Sequence, residues 1–525
     1  MGKKLPIGIQ AFEKLRTDGF LYVDKTAYIY RLARENVPYF LSRPRRFGKS
    51  LLLSAMKYYW EGRKDLFEGL AIEKLEAEAG EDAWKAHPVF LFDFNGANYA
   101  MEDELESTLD NQLYDLEEVY GNRNERASKL NVRFQNLLKM AFEKTGERVV
   151  VLIDEYDKPL LDAVDNRELQ EHNRAVLKGF FSTLKRFDNY FQFIFITGVT
   201  KFHKVSIFSD LNQLKDISLS DSYAGICGIT EEELKQYFGD RIPAFAKAQE
   251  MTAGECLAKL RKTYDGYRFH PAAEGVYNPF SLLNAFFDRE FSSYWFETGT
   301  PTFLVRKLKA ERFDVRRFTD RTIYAKESTL KDYTGDNMEP VPLLYQTGYL
   351  TIAAYEKNRS RYTLCFPNEE VKYGFLESLL PAYVPKATET YGLDIFTLDD
   401  YVENGETDRI RDVLTALFAG ITYTLESDPF EHYFQAVIYL VFTLLGRYAQ
   451  CEMHTFTGRV DCKVGTRDFL YLFEFKRDVT AGEALAQIDS REYALPFAAD
   501  SRKLYKIGVS FDSKERKLVG WEVGE

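Results

Sequence analysis

Cysteine is scarce in this chain. The five residues, Cys227, Cys256, Cys365, Cys451 and Cys462, include no CxxC pair and no zinc spacing. An odd, scattered set argues against a disulfide-stapled scaffold and is expected to remain as reduced thiols. Long apolar runs are missing too. No stretch approaches the roughly 18 continuous apolar residues of a spanning helix, so no membrane partner is expected. The opening MGKKLPIGIQAFEKL has no apolar signal core, and Pro6 stands where a myristoylation signal needs Ser or Thr. The expected location is therefore cytoplasmic. Positive charge is in deficit: 69 Lys and Arg against 81 Asp and Glu give a formal net charge of −12. That balance argues against a broad histone-like grip on nucleic acid but leaves room for a local basic groove beside acidic metal ligands. Repeats and low-complexity tracts are absent as well.

What is present is a globular composition. Of 525 residues, 45% are hydrophobic and 29% charged. That length exceeds one ordinary core, and roughly two to four domains are expected. The 42 Phe and 34 Tyr are spread along the whole chain, which favours core filling over a base-stacking surface.

The first chemical signal is FLSRPRRFGKS, Phe40 to Ser50. It ends in Gly48-Lys49-Ser50, the close of a phosphate-binding loop. The run Val37–Ser42 suits a buried strand, and LLLSAMKYYWEG after Ser50 has helical length. In such a strand–loop–helix, backbone N–H groups and the helix N-terminus attract phosphate. Lys49 is expected on the β- and γ-phosphates, Ser50 on Mg²⁺, and Arg45, Arg46, Phe47 and Gly48 around the nucleotide. Arg43 occupies the place of the loop's usual first glycine. With Arg45 and Arg46 it either compensates with charge or forms a solvated basic turn. A second signal is RVVVLIDEYDKPL. Its apolar run Val149–Ile153 reads as a fully buried strand ending in Asp154-Glu155, with Asp154 on the Mg²⁺ shell and Glu155 orienting the attacking water. His87–Gly96 and Tyr190–Phe202 read as further strands of a parallel sheet. Thr197 and Thr200 close the last of these. A polar residue there acts as a γ-phosphate sensor or as a simple strand-end cap.

These blocks, with GIQAFEKLRTDGFLYVDKTAYIYRLA upstream, resemble the bacterial AAA-ATPase-like family over about the first 200 to 290 residues. In that family the loop typically reads RPRRFGKS, so the resemblance marks Arg43 as a recognised variant. It also places the segment Val23-Asp24-Lys25-Thr26 near the nucleotide base.

Leu257 to about Asn404 is less informative. TYDGYRF (Thr263–Phe269) and YNPFSLLNAF (Tyr277–Phe286) read as a turn and then a helix, and Pro340–Glu356 as a helix or turn leading to a strand. These blocks resemble the segments that follow the ATPase core in the same family, and a helical lid or winged-helix-like connector is expected. Arg268 is read as an intramolecular salt-bridge residue in preference to an arginine acting on a neighbour's nucleotide.

The C-terminal stretch is dense in chemistry. Asp428–Gly446 reads as a helix with Glu431 in its first turn, and Cys451–Gly465 as a hairpin turning near Thr457-Gly458 and carrying Asp461. Asp468–Asp478 is an aromatic strand. Along it Glu474 and Lys476 share a face. Ala481–Ala494 reads as a helix bearing Gln487, and Lys503–Phe511 and Lys517–Val523 as closing strands. Asp461 and Glu474, completed by Glu431, can hold a hard divalent cation, and Lys476 can position water or offset charge. The order helix-Glu, strand-Asp, strand-Glu-x-Lys, helix-Gln resembles the PD-(D/E)XK nuclease superfamily over roughly the last 115 residues, with Val460 in place of the proline. His432 and His454 are not spaced for zinc. From Arg411 to Glu525 the 14 Lys and Arg against 17 Asp and Glu leave a net −3, low for a dedicated nucleic-acid binder.

The expected fold class is α/β in three parts: a P-loop NTPase of parallel sheet with flanking helices over 1–256, the connector over 257–404, and a restriction-endonuclease-like domain over 405–525. The expected function is an ATP-binding P-loop ATPase fused to a Mg²⁺-dependent nuclease that cleaves phosphodiesters under nucleotide control, with DNA as the expected partner. The competing reading is a nucleotide-switched binding module that hydrolyses slowly and does not cut. Homo-oligomer formation stays open.

Overall fold

A computed structural model gives the fold. It describes the chain except residues 1–2, 36, 81–83, 122–128, 202–203, 209–210, 212, 298–303, 306–307, 309–322, 332–339, 384–394, 420–436, 438, 443–449, 455–458, 513–516 and 525. The chain divides into two compact units, Met1–Trp295 with Tyr324–Glu369, and Phe296–Ile323 with Glu370–Glu525. This division assigns 257–295 and 324–369 to the N-terminal unit.

The N-terminal unit is built on a five-stranded sheet. Its strands are β1 (Tyr39–Ser42), β2 (Val89–Asp93), β3 (Val149–Asp154), β4 (Phe191–Gly198) and β5 (Lys215–Asp216), in the spatial order β2-β3-β4-β1-β5. Every pairing is parallel. Helices therefore cover both faces, and β1 and β3 are buried along their whole length. That burial explains why VVVLI carries no alternation. β4 lies between β1 and β3, so the end of β4 sits between the loop that follows β1 and the acidic end of β3.

The helices have legible starts. Lys49–Trp60 begins after Gly48, whose φ of 90° only glycine adopts cheaply. Asn166 caps Arg167–Arg186 by accepting from the Leu169 N–H. Capping boxes open Glu231–Phe238 and Ala253–Tyr264. The block read as turn then helix is the end of Ala253–Tyr264 followed by Pro279–Asp288, which Asn278 caps. Pro340–Thr347 is a helix leading into β7 (Thr351–Glu356), which with β6 (Ile323–Lys326) and β8 (Arg361–Cys365) forms a sheet in the order β6-β8-β7.

The C-terminal unit holds a mixed sheet of β9 (Gln450–His454), β10 (Arg459–Gly465), β11 (Phe469–Arg477), β12 (Lys503–Asp512) and β13 (Lys517–Gly524), in the order β13-β12-β11-β10-β9. β9, β10 and β11 form an antiparallel meander, while β11 and β12 run parallel. The helix Ala481–Ser490 makes the crossover between that parallel pair. It lies directly on the sheet at Gly508. A β-carbon there would stand 2.2 Å from the Ala481 carbonyl oxygen and 2.6 Å from the Leu485 nitrogen. Gly508 pairs with Glu474 across β11 and β12, so the glycine sets how closely this helix approaches the Glu474 face.

Replacing Gly508 with valine is expected to force the crossover helix off the sheet and to lower the stability of the C-terminal unit by roughly 1–3 kcal/mol. Thermal unfolding followed by circular dichroism measures it, and an unchanged melt would contradict the close seating.

Candidate functional site

The first constellation surrounds the loop between β1 and the helix Lys49–Trp60. Arg46 (φ 66°) and Gly48 (φ 90°) take left-handed backbone there. Arg43 does not, so the place of the missing glycine makes no demand that only glycine can meet. The Arg43 side chain turns inward and is 1% exposed. Its guanidinium donates to the carbonyls of Ser42 (2.9 Å), Ser218 (2.8 Å) and Tyr223 (3.0 Å) and lies 3.9 Å from the centre of the Phe269 ring. It is thus neither a phosphate-facing charge nor a solvated turn but a buried brace. Arg45 and Arg46 are exposed, with Arg46 4.9 Å from the Phe280 ring. Phe47 is buried edge-on against Tyr267 at 4.7 Å and Phe269 at 5.7 Å. Trp295 Nε1 donates to the Arg45 carbonyl at 3.3 Å, and a β-carbon on Gly348 would stand 2.7 Å from Pro44 Cβ. Residues 267–295 and 345–349 therefore buttress the loop.

Lys49 Nζ donates back to the carbonyls of Arg43 (3.0 Å) and Pro44 (3.1 Å). Ser50 Oγ donates to Asp154 Oδ2 at 2.5 Å, and Thr197 Oγ1 donates to Asp154 Oδ1 at 2.5 Å. Thr197 thus touches the acidic pair, whereas Thr200 is bonded through Oγ1 and N–H to Asp157 at 2.7 and 2.6 Å and ties the strand end. Glu155 has a left-handed φ of 52°. Burial raises its pKa, and the charges of Lys49 and Arg45 oppose that rise. Asn95 went unread in the sequence. Its Nδ2 reaches Asp93 Oδ1 at 2.7 Å and Asp154 Oδ2 at 3.2 Å, joining two neighbouring strand ends. Asp157 was also missed, although the sequence DEYDK held it in view. Arg268 binds within its own unit, donating to the Ala353 carbonyl at 3.3 Å, and forms no salt bridge among the described residues.

Beside Gly48 lies an apolar pocket of about 610 Å³ including its open mouth, walled by Tyr22, Val23, Phe47, Ile226, Cys227 and Pro279. Its chemistry suits a planar base next to the loop. Val23 and Lys25 line it, but Lys25 Nζ is engaged by Glu233 at 2.6 Å and the Gly225 carbonyl at 2.8 Å. Asp24 instead anchors helix starts through Thr26 (2.8 Å) and Ala71 (2.7 Å).

The second constellation sits in the C-terminal unit. β10 and β11 pair as far as Cys462 opposite Phe473. One residue further, Asp461 Oδ2 accepts the Phe475 N–H at 2.8 Å, a carboxylate standing where a ladder carbonyl would. Glu474 is 1% exposed. Its Oε1 accepts from Lys476 Nζ at 3.0 Å and from Gln487 Nε2. Its Oε2 is buried with no hydrogen-bond partner. Burial, joined by the negative charge of Asp461, lifts its pKa to about 7, against the opposing hydrogen bond from Lys476. Asp461, Glu474, Lys476 and Gln487 are therefore brought together. Glu431 lies outside the described residues, as does His432. Among the described residues no group of three or more His, Cys, Asp or Glu side chains is gathered for a metal. Two carboxylates, one with an orphaned buried oxygen, still fit Mg²⁺, which keeps most of its waters and takes one or two protein carboxylates.

Residues 6–208 match the family described as Predicted AAA-ATPase, and residues 429–521 match the PD-(D/E)XK nuclease superfamily. The chain belongs to the AAA-ATPase-like family and carries a C-terminal nuclease-superfamily domain. It is 37% identical over 539 aligned positions, spanning 99% of both chains, to an uncharacterized protein in the vnfD 5′ region of Azotobacter chroococcum mcd 1. Among solved structures, the Aeropyrum pernix ORC1 protein in complex with DNA aligns over 68% of this chain and 93% of its own, at 12% identity and a TM-score of 0.24.

Restoring the loop glycine with Arg43→Gly is expected to destabilise the N-terminal unit by roughly 2–4 kcal/mol, because three carbonyls lose a buried donor. Denaturant melts test this, and a neutral or stabilising result would contradict the brace. Glu474 holds its proton more tightly in the folded chain, so its contribution favours folding below its ordinary pKa of 4.5 and is lost as pH rises through about 7. In chelator, Glu474→Gln is therefore expected to leave stability near pH 4 unchanged and to raise it at pH 8 by on the order of 2 kcal/mol. Melts at the two pH values decide it, and an equal shift at both counts against a raised pKa.

Proposed function

We propose that the chain binds and hydrolyses ATP at the β1 loop, and that its nucleotide state governs Mg²⁺-dependent cleavage of DNA phosphodiesters in the C-terminal unit. The observation that carries this reading is Glu474, buried, with one oxygen unmatched and a cation, Lys476, on the other. Such an arrangement costs stability unless a ligand cation completes it.

In the first site Lys49 supplies the charge that meets the β- and γ-phosphates once it leaves the loop carbonyls. The Asp154–Ser50 contact reserves an oxygen pair for Mg²⁺. Glu155, with its raised pKa, is suited to accept a proton from water, and Thr197 senses the end of the phosphate chain through Asp154. The apolar pocket takes adenine. In the second site Asp461 and Glu474 would hold the metal. When bound, the ion polarises the phosphodiester and makes its water more acidic. Gln487 fixes the Glu474 carboxylate, and Lys476 stabilises charge on the attacked phosphate or positions the attacking water.

The purified chain, incubated with linear, circular and single-stranded DNA and with RNA, in Mg²⁺ or Mn²⁺ and with or without ATP, is expected to cut DNA. Lys476→Ala should reduce cutting by at least about a hundredfold, and Lys49→Ala should remove any ATP dependence. No cutting in any condition, together with measurable ATP binding, would replace this reading with a nucleotide-switched binding module.

A further inference from the structure

A second cavity opens at the other edge of the first sheet. His87 precedes β2, Arg148 precedes β3 and Gln192 lies at the start of β4, so the cavity lies at the strand ends remote from the nucleotide loop. It encloses roughly 1040 Å³ including its mouth. Its acids are already answered. Glu76, 1% exposed, accepts from Arg34 at 2.8 Å and from the Tyr59 hydroxyl at 2.7 Å, and Glu147 pairs with Lys85 at 3.0 Å. Donor capacity is left over. Trp60 Nε1 is buried with no hydrogen-bond partner. The Arg148 and Gln192 side chains have no hydrogen bond or ion pair among the described residues. Aromatic surface completes the wall: Trp84 stands edge-on to Tyr59 at 5.6 Å, and His87 edge-on to Trp60 at 5.3 Å. His87 Nδ1 lies 3.0 Å from the Arg148 carbonyl, which only accepts, so Nδ1 carries the proton and Nε2 is left as an acceptor.

We propose that this cavity binds a nucleoside monophosphate group, with the base against Trp84 and Tyr59 and the phosphate on Arg148 and Lys85. An apolar ligand would leave the buried Trp60 N–H and the Arg148 and Gln192 donors unmatched, and a bare phosphate would leave the aromatic wall wet. A planar heteroaromatic ring carrying an anion satisfies both, through stacking and charge-assisted hydrogen bonds. The group belongs either to a free mononucleotide or to the 5′-phosphorylated end of a strand. The helix Lys49–Trp60 starts at the nucleotide loop and ends in this cavity, so a ligand here touches the far end of the element that holds Lys49 and Ser50.

Trp60 and Trp84 are two of the chain's four tryptophans, which makes intrinsic fluorescence the readout. The full chain is titrated in chelator, as wild type and as Lys49→Ala to silence the first site. The probes are thymidine monophosphate, AMP, thymidine, inorganic phosphate and a short 5′-phosphorylated DNA strand. Saturable quenching by both monophosphates in Lys49→Ala is expected. Thymidine and phosphate alone should bind at least tenfold more weakly, as should the monophosphates to Arg148→Glu, a change at an exposed residue that leaves the fold intact. Quenching by the phosphorylated strand identifies a strand end as the source, and its absence beside monophosphate quenching identifies the free nucleotide. No saturable response to either monophosphate, or curves unchanged in both Arg148→Glu and Trp84→Ala, overturns the proposal.

Discussion

The loop between β1 and the helix Lys49–Trp60 depends on one buried cation. Among the described residues Arg43 forms no ion pair, and it is held by three carbonyl dipoles and the face of Phe269. A charge so placed is costly unless its donors find partners; the two terminal nitrogens do, while the buried Nε has none. The carbonyls of Ser42, Ser218 and Tyr223 are thereby drawn to one point, and the backbone from Arg43 to Gly48 is shaped around it. Lys49 then takes the carbonyls of Arg43 and Pro44, so its ammonium rests on the same braced backbone. What a glycine provides by conformational freedom, this chain provides by fixing the loop from behind.

Both candidate sites use desolvation in the same way. Glu155 and Glu474 are carboxylates raised above their ordinary pKa chiefly by burial, each with a lysine near enough to oppose the rise. Asp157, between the two strand ends, looks different. Asp157 is also raised, yet the N–H groups of Val199 and Thr200 and the Thr200 hydroxyl occupy its oxygens. Asp157 and Glu474 thus differ in satisfaction, not in burial, and Asp265, raised to about 6 by burial with its buried Oδ1 unpartnered, shares the Glu474 pattern outside either site. Glu474 retains an oxygen that the protein does not use.

Much of this was legible in the sequence because it was local. Strand, loop and helix around Gly48-Lys49-Ser50, the apolar run into Asp154-Glu155, and the i, i+2 spacing of Glu474 and Lys476 are short-range patterns, and the described residues carry them as read. Sequence order could not reveal which strands become neighbours. Asn95 reaches Asp154 only because β2 pairs with β3, and Thr197 reaches it only because β4 pairs with β3 on the other side. Arg43 was misread for the same reason. In the sequence it stands among three arginines of one turn, and two of the three carbonyls that claim it lie 175 and 180 residues away. Gly508 carried no signal beyond being a glycine in a strand, since the helix that needs it is recognised only once β11 and β12 are known to be parallel.

Those long separations bear on the order in which the chain matures. The loop closes β1 near the start of the chain, but its brace draws on Ser218, Tyr223 and Phe269, and its outer wall on Trp295 and Gly348. During synthesis from the N-terminus, the motif residues emerge long before the segments that give the loop its shape. Loop closure over such distances is entropically costly and comes late. The loop that follows β1 therefore has its full set of supporting contacts only when the middle of the polypeptide has folded back onto it.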